Sequence, residues 1–191
     1  LEADAYRDRY LELIRLLSRH PDAGLTTSGG IKRLQISLKL SALTPHFNPA
    51  DPEGTLRRLR PAFERILAAA RRSGVAVTVD MEEYAVRDLT WEIVRQVAGP
   101  GTAFATWPDL GVVVQAYLVD SLDFAQQVID FARRRGAPLQ VRLVKGAYWD
   151  YETLLAQQMG WPVPVFQHKA ATDVQFEHCA EVLLQAYPAI S

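Results

Sequence analysis

A chain of 191 residues, 49% hydrophobic and 23% charged, is long enough to bury a substantial core, yet its longest apolar runs, such as Val112-Val113-Val114, fall far short of a membrane span. A formal net charge of −1 gives no electrostatic reason to expect a nucleic-acid or acidic-membrane partner. The single cysteine, Cys179, excludes an intrachain disulfide and fits a reducing, cytoplasmic compartment.

The first residues, Leu-Glu-Ala-Asp-Ala-Tyr-Arg, lack a signal-peptide core, and Tyr6, Tyr10, Leu13, Ile14 and Leu17 predict an amphipathic helix over 3–19. A breaker run from Pro21 to Gly30 follows. Residues 34–40, Leu-Gln-Ile-Ser-Leu-Lys-Leu, alternate strictly and predict a strand. Beyond a loop with Pro45, Pro49 and Pro52 comes a basic helix over 55–73, ending at Gly74. The pattern repeats: strand at 75–80, helix at 88–98, strand at 112–118, helix at 121–135, strand at 139–145, a short helix at 151–159 and a last helix at 170–186.

Strands separated by helices of this length are parallel βα units, which fit either an open doubly wound sheet or a closed barrel. Strands buried between two helix layers should be apolar on both faces. Here Ile36 and Leu38 alternate with Ser37 and Lys39, Val77 and Val79 with Thr78 and Asp80, and Val141 and Leu143 with Gln140 and Arg142. One parity can pack on outer helices while the other faces a shared interior, as in a barrel whose C-terminal mouth carries the chemistry. A full (β/α)₈ TIM-type barrel has about eight strands in roughly 250 residues, so four strong strands amount to about half of one.

Lys39, Asp80, Gln115 and Arg142 fall late in four successive strands. Each alone is most simply an end-of-strand group reaching solvent, or for Asp80 a helix N-cap. Together, at matching parity, two cations, a carboxylate and an amide suit a small anionic or zwitterionic ligand and a polar ring edge. The densest segment runs from Arg142 to Asp150, where Gly146 and Ala147 permit close backbone approach to a ligand and Tyr148 and Trp149 offer flat surfaces. Lys145, on the opposite parity from Arg142, is alternatively a Schiff-base lysine of an aldolase-type barrel. The histidines at 20, 46, 168 and 178 lack metal-ligand spacing, so no metal is expected. Gly99-Pro-Gly101 is no phosphate loop, since no Lys-Ser/Thr follows it.

Ile36-Ser-Leu-Lys39-Leu-Ser-Ala-Leu43, Val79-Asp80-Met-Glu-Glu83, Val113-Val-Gln115-Ala-Tyr117 and Arg142-Leu-Val-Lys-Gly-Ala-Tyr-Trp-Asp150 together resemble the proline dehydrogenase family, in particular the dehydrogenase domain of bifunctional proline utilisation proteins. The resemblance runs from about residue 3 to the end. It implies a distorted (β/α)₈ barrel holding FAD and oxidising L-proline to 1-pyrroline-5-carboxylate. By it, Arg142 lies near flavin N5 and Gln115 near the pyrimidine edge. Lys145, Gly146, Ala147 and Trp149 line the rest of the cofactor, and Lys169 approaches the pyrophosphate. Lys39 helps bind the proline carboxylate, and Asp80 is an active-site carboxylate. A common family Thr-Arg is Gln167-His168 here, which puts a hydroxyl contact to the cofactor in question. The family's first strand, its Thr-His-Asn strand and a late Arg-Arg pair that anchors the substrate have no counterpart in residues 1–191. The resemblance therefore implies a partial domain whose isolated form is weakly stable and weakly active. It also leaves room for a following pyrroline-5-carboxylate dehydrogenase domain and for an electron acceptor at a membrane surface. A structural fragment with no ligand is the reading from a different class.

Overall fold

Residues 2–191 are described in a computed structural model. Four strands, β1 (Gln35–Leu38), β2 (Ala76–Val79), β3 (Leu110–Gln115) and β4 (Gln140–Val144), form one parallel sheet in chain order, without reversal. An open doubly wound sheet reverses its strand order at a switch point. Sequential order with crossovers of one hand instead keeps the connecting helices on one face, as in an arc of a barrel wall. The helices are α1 (Glu2–Leu17), α2 (Pro52–Ser73), α3 (Tyr84–Ala98), α4 (Ser121–Arg135), α5 (Trp149–Met159) and α6 (Lys169–Gln185). A 3₁₀ turn, Leu40–Leu43, follows β1.

Every predicted element is present, and two helices begin three or four residues earlier than the hydrophobic periodicity alone implies. α2 begins at Pro52 because Asp51 caps it, its carboxylate accepting from the Gly54 N–H at 3.0 Å, with proline just inside the helix where its missing N–H does no harm. α3 begins at Tyr84, four residues before the expected start at 88. Its N-terminal N–H is taken by the Glu152 carboxylate at 2.6 Å, from α5, a partner that local sequence cannot disclose. α2 stops at Gly74, whose positive φ of 64° suits glycine and whose N–H returns to the last carbonyls of the helix.

The apolar parity of the strands builds the core. Ile36, Leu38, Val77, Val79, Leu110, Val112 and Val114 are buried, and share one cluster with Leu59, Phe63, Ile66 and Leu67 of α2, Val94 and Val97 of α3, and Phe124, Val128 and Ile129 of α4. On the other parity the registers Ser37↔Thr78, Thr78↔Gly111 and Gly111↔Gln140 make one row. A side chain at Gly111 would meet Gln140 at 3.0 Å and Thr78 at 3.1 Å, so this row is already close-packed. This is the shared interior that the alternation implies. β2 and β3 are buried on both faces, because a barrel interior is filled by its own side chains, and only β1 and β4 keep exposed inner residues. At the outer edge of β4, Ile190 pairs with Leu139 in parallel, the Val141 N–H donating to Ser191 O at 2.8 Å.

Candidate active site

Continuing the strand registers by one residue sets Lys39, Asp80, Val113 and Arg142 in the row above, with Gln115 and Val144 one step higher. These six, with Met81, Lys145, Gly146, Ala147 and Tyr148, line one open hollow of about 300 Å³ at the C-terminal ends of the strands. Residues from four strands meet there because all four strands run the same way and end at the same level. The four polar side chains singled out by parity are thus brought together.

Charge in the hollow is paired but incompletely. Arg142 donates to Asp80 across β3, and remains half exposed with the pair in place. Lys39 Nζ stands 3.7 Å from Glu82 Oε1. Partial burial works against the Lys39 ammonium, but Tyr148, Glu82 and Asp80 outweigh it and raise its pKa above the ordinary lysine value. Gln115, on β3, is buried; its Nε2 donates to Glu82 O at 3.1 Å and to Met81 O at 3.3 Å, while its Oε1 is buried with no partner in the protein. Buried acceptors of this kind are ordinarily satisfied, so Oε1 is free to accept an N–H or O–H from outside the protein.

The loop after β4 closes one side. Gly146 adopts φ of +134°, and a Cβ there would collide with the Tyr117 ring. Its lack of a side chain therefore serves packing on Tyr117, while its backbone also lines the hollow. Tyr117 N–H donates to Lys145 O at 2.6 Å, and its carbonyl accepts from Phe166 N–H at 2.8 Å, so the loop from 163 to 166 is stitched onto the same wall. Trp149 and Lys169 lie outside the hollow's lining. The Trp149 indole donates to Phe166 O at 2.8 Å. Lys169 opens α6 and shares Asp173 with Lys145, at 2.7 and 2.6 Å. The two ammonium groups hold the Asp173 carboxyl below its usual range and leave the cluster with one surplus positive charge.

Parity reasoning passed over Glu82 and Asp173, and Tyr148 was singled out only for its flat ring. Glu82 carried a signal, since it lies two residues past Asp80 in an extended stretch and so on the same side. Asp173 is four residues after Lys169, a helical pair. Tyr148 carried none beyond its place in a dense motif. Among the described residues no group of three His, Cys, Asp or Glu side chains could hold a metal ion, and no helix is long and apolar enough to cross a membrane. Chemically the hollow offers three cations, Lys39, Arg142 and Lys145, the Asp80 carboxylate with Glu82 beside it, and a spare amide oxygen, a set that suits a small zwitterion beside a flat ring with N–H groups at its edge. The Lys145 amine is half exposed and bound to Asp173, unlike the desolvated amine that attacks carbonyls.

Comparison with known proteins agrees with this geometry. A family model described as Proline dehydrogenase matches residues 1–191. The chain is 31% identical over 185 residues to the Bifunctional protein PutA of Klebsiella aerogenes, covering 96% of this chain and 14% of that one. It is 30% identical over 150 residues to Proline dehydrogenase 1 of Bacillus subtilis, covering 78% of this chain and 40% of that one. Among solved structures, proline utilization A from Bdellovibrio bacteriovorus, inactivated by N-propargylglycine, superposes with a TM-score of 0.90 at 36% identity, over 99% of this chain and 20% of that one. The chain thus spans less than half the length of each of these relatives, with a parallel α/β wall like theirs, and it belongs to the proline dehydrogenase family.

Proposed function

We propose that residues 1–191 are part of a distorted (β/α)₈ barrel that binds FAD and oxidises L-proline to 1-pyrroline-5-carboxylate, the first step of proline breakdown. The observation that carries this reading is the row of Lys39, Asp80 and Arg142 beneath the buried, unpartnered Oε1 of Gln115, in one hollow at the strand ends. Family membership and relatives named as proline dehydrogenases support the substrate. The part-barrel reading draws support from the strand order and from the parallel bridge of Ile190 with Leu139, on the edge of β4 away from β3.

The residues fit the cofactor. An acceptor at Gln115 Oε1 meets the ring N–H of a flavin pyrimidine edge, and Arg142 supplies a cation beside the ring. Lys145, Gly146 and Ala147 form the wall on the same side, with Trp149 just outside it, and the surplus charge shared by Lys145 and Lys169 suits phosphate. When bound, FAD supplies the acceptor for the hydride leaving the carbon next to the proline nitrogen. Lys39 holds the substrate carboxylate, its charge kept in place by Glu82 and Tyr148. Asp80 fixes the Arg142 guanidinium across the hollow, so that the cation is oriented before substrate arrives. No nucleophile is needed, because the protein's task is to position the imino acid and exclude water.

A cytoplasmic setting, a membrane-surface electron acceptor and a following pyrroline-5-carboxylate dehydrogenase domain complete the proposal, the last in keeping with relatives named bifunctional. The test is the visible absorption spectrum of the complete-barrel protein before and after L-proline in the absence of oxygen. Bleaching of a flavin band by proline is the expected result. A flavin band indifferent to proline overturns the substrate, and folded protein that takes up no FAD overturns the cofactor.

A further inference from the structure

The segment Asp80-Met81-Glu82-Glu83 joins β2 to α3 and carries both carboxylates that pair with the site's cations: Asp80 with Arg142 and Glu82 with Lys39. A four-residue connection of this kind has little stiffness of its own, so its geometry depends on what grips it. Two grips are present. From β3, the Gln115 amide holds the carbonyls of Met81 and Glu82. From α5, the Glu152 carboxylate accepts the Tyr84 N–H at 2.6 Å.

The second grip is the unusual one. Glu83, the residue before α3, makes no side-chain cap, so the helix takes its capping group from another helix 68 residues away in sequence. Glu152 is only 4% exposed, and burial raises its pKa above the ordinary glutamate value, opposed in part by the Tyr84 N–H. A carboxyl buried at that cost is an expensive way to cap a helix whose own N-cap position could have held serine or aspartate. What the distant cap adds is a mechanical link. α5 begins at Trp149, directly after the loop of Lys145, Gly146 and Ala147, and the Glu152 N–H bonds the Tyr148 carbonyl at 2.9 Å in its first turn. One side chain thereby ties the β4–α5 side of the hollow to the β2–α3 loop opposite.

We propose that Glu152 is a positioning residue for the proline-oxidising site, capping α3 from α5 and so setting the Asp80–Glu83 loop in register with the Lys145–Tyr148 loop. The inference rests on the proposed function for its catalytic consequence, though the clamp itself is a matter of structure alone. It concerns no contact to substrate; Glu152 acts through Tyr84 and the loop.

The experiment compares Glu152→Gln and Glu152→Ala in the complete-barrel protein, with two readouts. Hydrogen exchange of the flavin-free protein tests the clamp: Glu152→Ala exposes the Tyr84 amide, which then exchanges about tenfold faster, roughly the effect of losing a helix cap, while Glu152→Gln, which keeps an acceptor oxygen, protects it. Steady-state kinetics test the consequence: kcat/KM for L-proline falls about tenfold in the alanine variant with the loss mainly in KM, and stays within about twofold in the glutamine variant. Should the alanine variant not fold, Tyr84→Pro removes the donor instead. Glu83 already has φ −63° and ψ 154°, the conformation a following proline requires, and proline is welcome at the first helical position. Tyr84→Ala is its control, lacking the ring but keeping the N–H. Unchanged exchange in residues 81–84 of Glu152→Ala, or a glutamine variant as impaired as alanine, overturns the proposal. An unmodified protein that ignores proline sinks the proposed function and leaves the exchange result to decide the clamp.

Discussion

Replacing Gly146 by alanine separates two reasons for a glycine beside a cofactor loop. At φ of +134° an L-residue is strained whatever space surrounds it, at about 1–3 kcal/mol. The new methyl group would also press into the Tyr117 ring, which is 3% exposed and packed with Leu118 and Val165, so it cannot step aside freely. Overpacking of that kind adds about 1–3 kcal/mol. Gly146→Ala should therefore cost about 2–6 kcal/mol before any cofactor is bound, read from urea denaturation of the flavin-free protein. In a Tyr117→Ala background the steric part disappears and the strain remains, so the double-mutant cycle should show a coupling of about 1–3 kcal/mol. Were the glycine present only to let a ligand approach, the flavin-free protein would lose the strain alone, the cycle would show no coupling, and FAD affinity would suffer besides. A loss below about 0.5 kcal/mol in the flavin-free protein, the usual range for neutral surface changes, refutes the packing argument.

Arg135, 4% exposed at the end of α4, donates to Phe104 O, Ala105 O and Trp107 O at 2.7 to 2.9 Å, and burial lowers its pKa to about 10. Arg135→Met should leave these carbonyls unsatisfied and cost about 3 kcal/mol or more in a denaturation experiment, with proline kinetics of the surviving fold unchanged. Gln115→Leu should weaken FAD binding about tenfold or more in a flavin titration, and Gln115→Glu should do worse, since it buries a carboxylate against the Met81 and Glu82 carbonyls that the amide now serves. Burial raises the Glu152 pKa, so between its unfolded and folded values the native state holds more protons and stability falls as pH rises across that window. Glu152→Gln should flatten this part of the curve in denaturation midpoints taken from acid to neutral pH, with no loss at neutral pH.

Periodicity disclosed the fold because each element obeys one repeat. Residues 121–135 are helical to the residue, and 34–40 contains β1 with one extra position in front and two behind. Where the reading slipped, the cause lay outside the local window. α3 starts four residues early because Glu152 reaches across from α5, and no pattern within 80–88 contains that carboxylate. The burial of both faces of β2 and β3 was likewise hidden. Thr78 and Gly111 look like weak interior positions singly, and become a packed row only when the register places Gln140 against them.

The legible part of the site is legible for a geometric reason. Parallel strands in sequential order share one direction, so the inward-facing residue near each C-terminal end arrives at about the same height, and parity plus position suffices to name it. Lys39, Asp80 and Arg142 meet both conditions, and Gln115 meets them one step higher. The loops obey no such rule. Gly146 was singled out for its backbone freedom, and the packing that also requires it was hidden, because its contact with Tyr117 depends on the path of residues 163–166, which pack onto that ring from beyond α5. Lys145, Asp173 and Lys169 depend on the same fold-back: one carboxylate on α6 serves a lysine 28 residues earlier, and it does so only because α6 begins where that loop delivers it. The strand ends supply a substrate-sized row of charges that any parallel barrel could have evolved. On the proposed function the following loops, set by these long-range contacts, would hold the cofactor beside this row, and so variants in those loops should separate cofactor affinity from proline affinity.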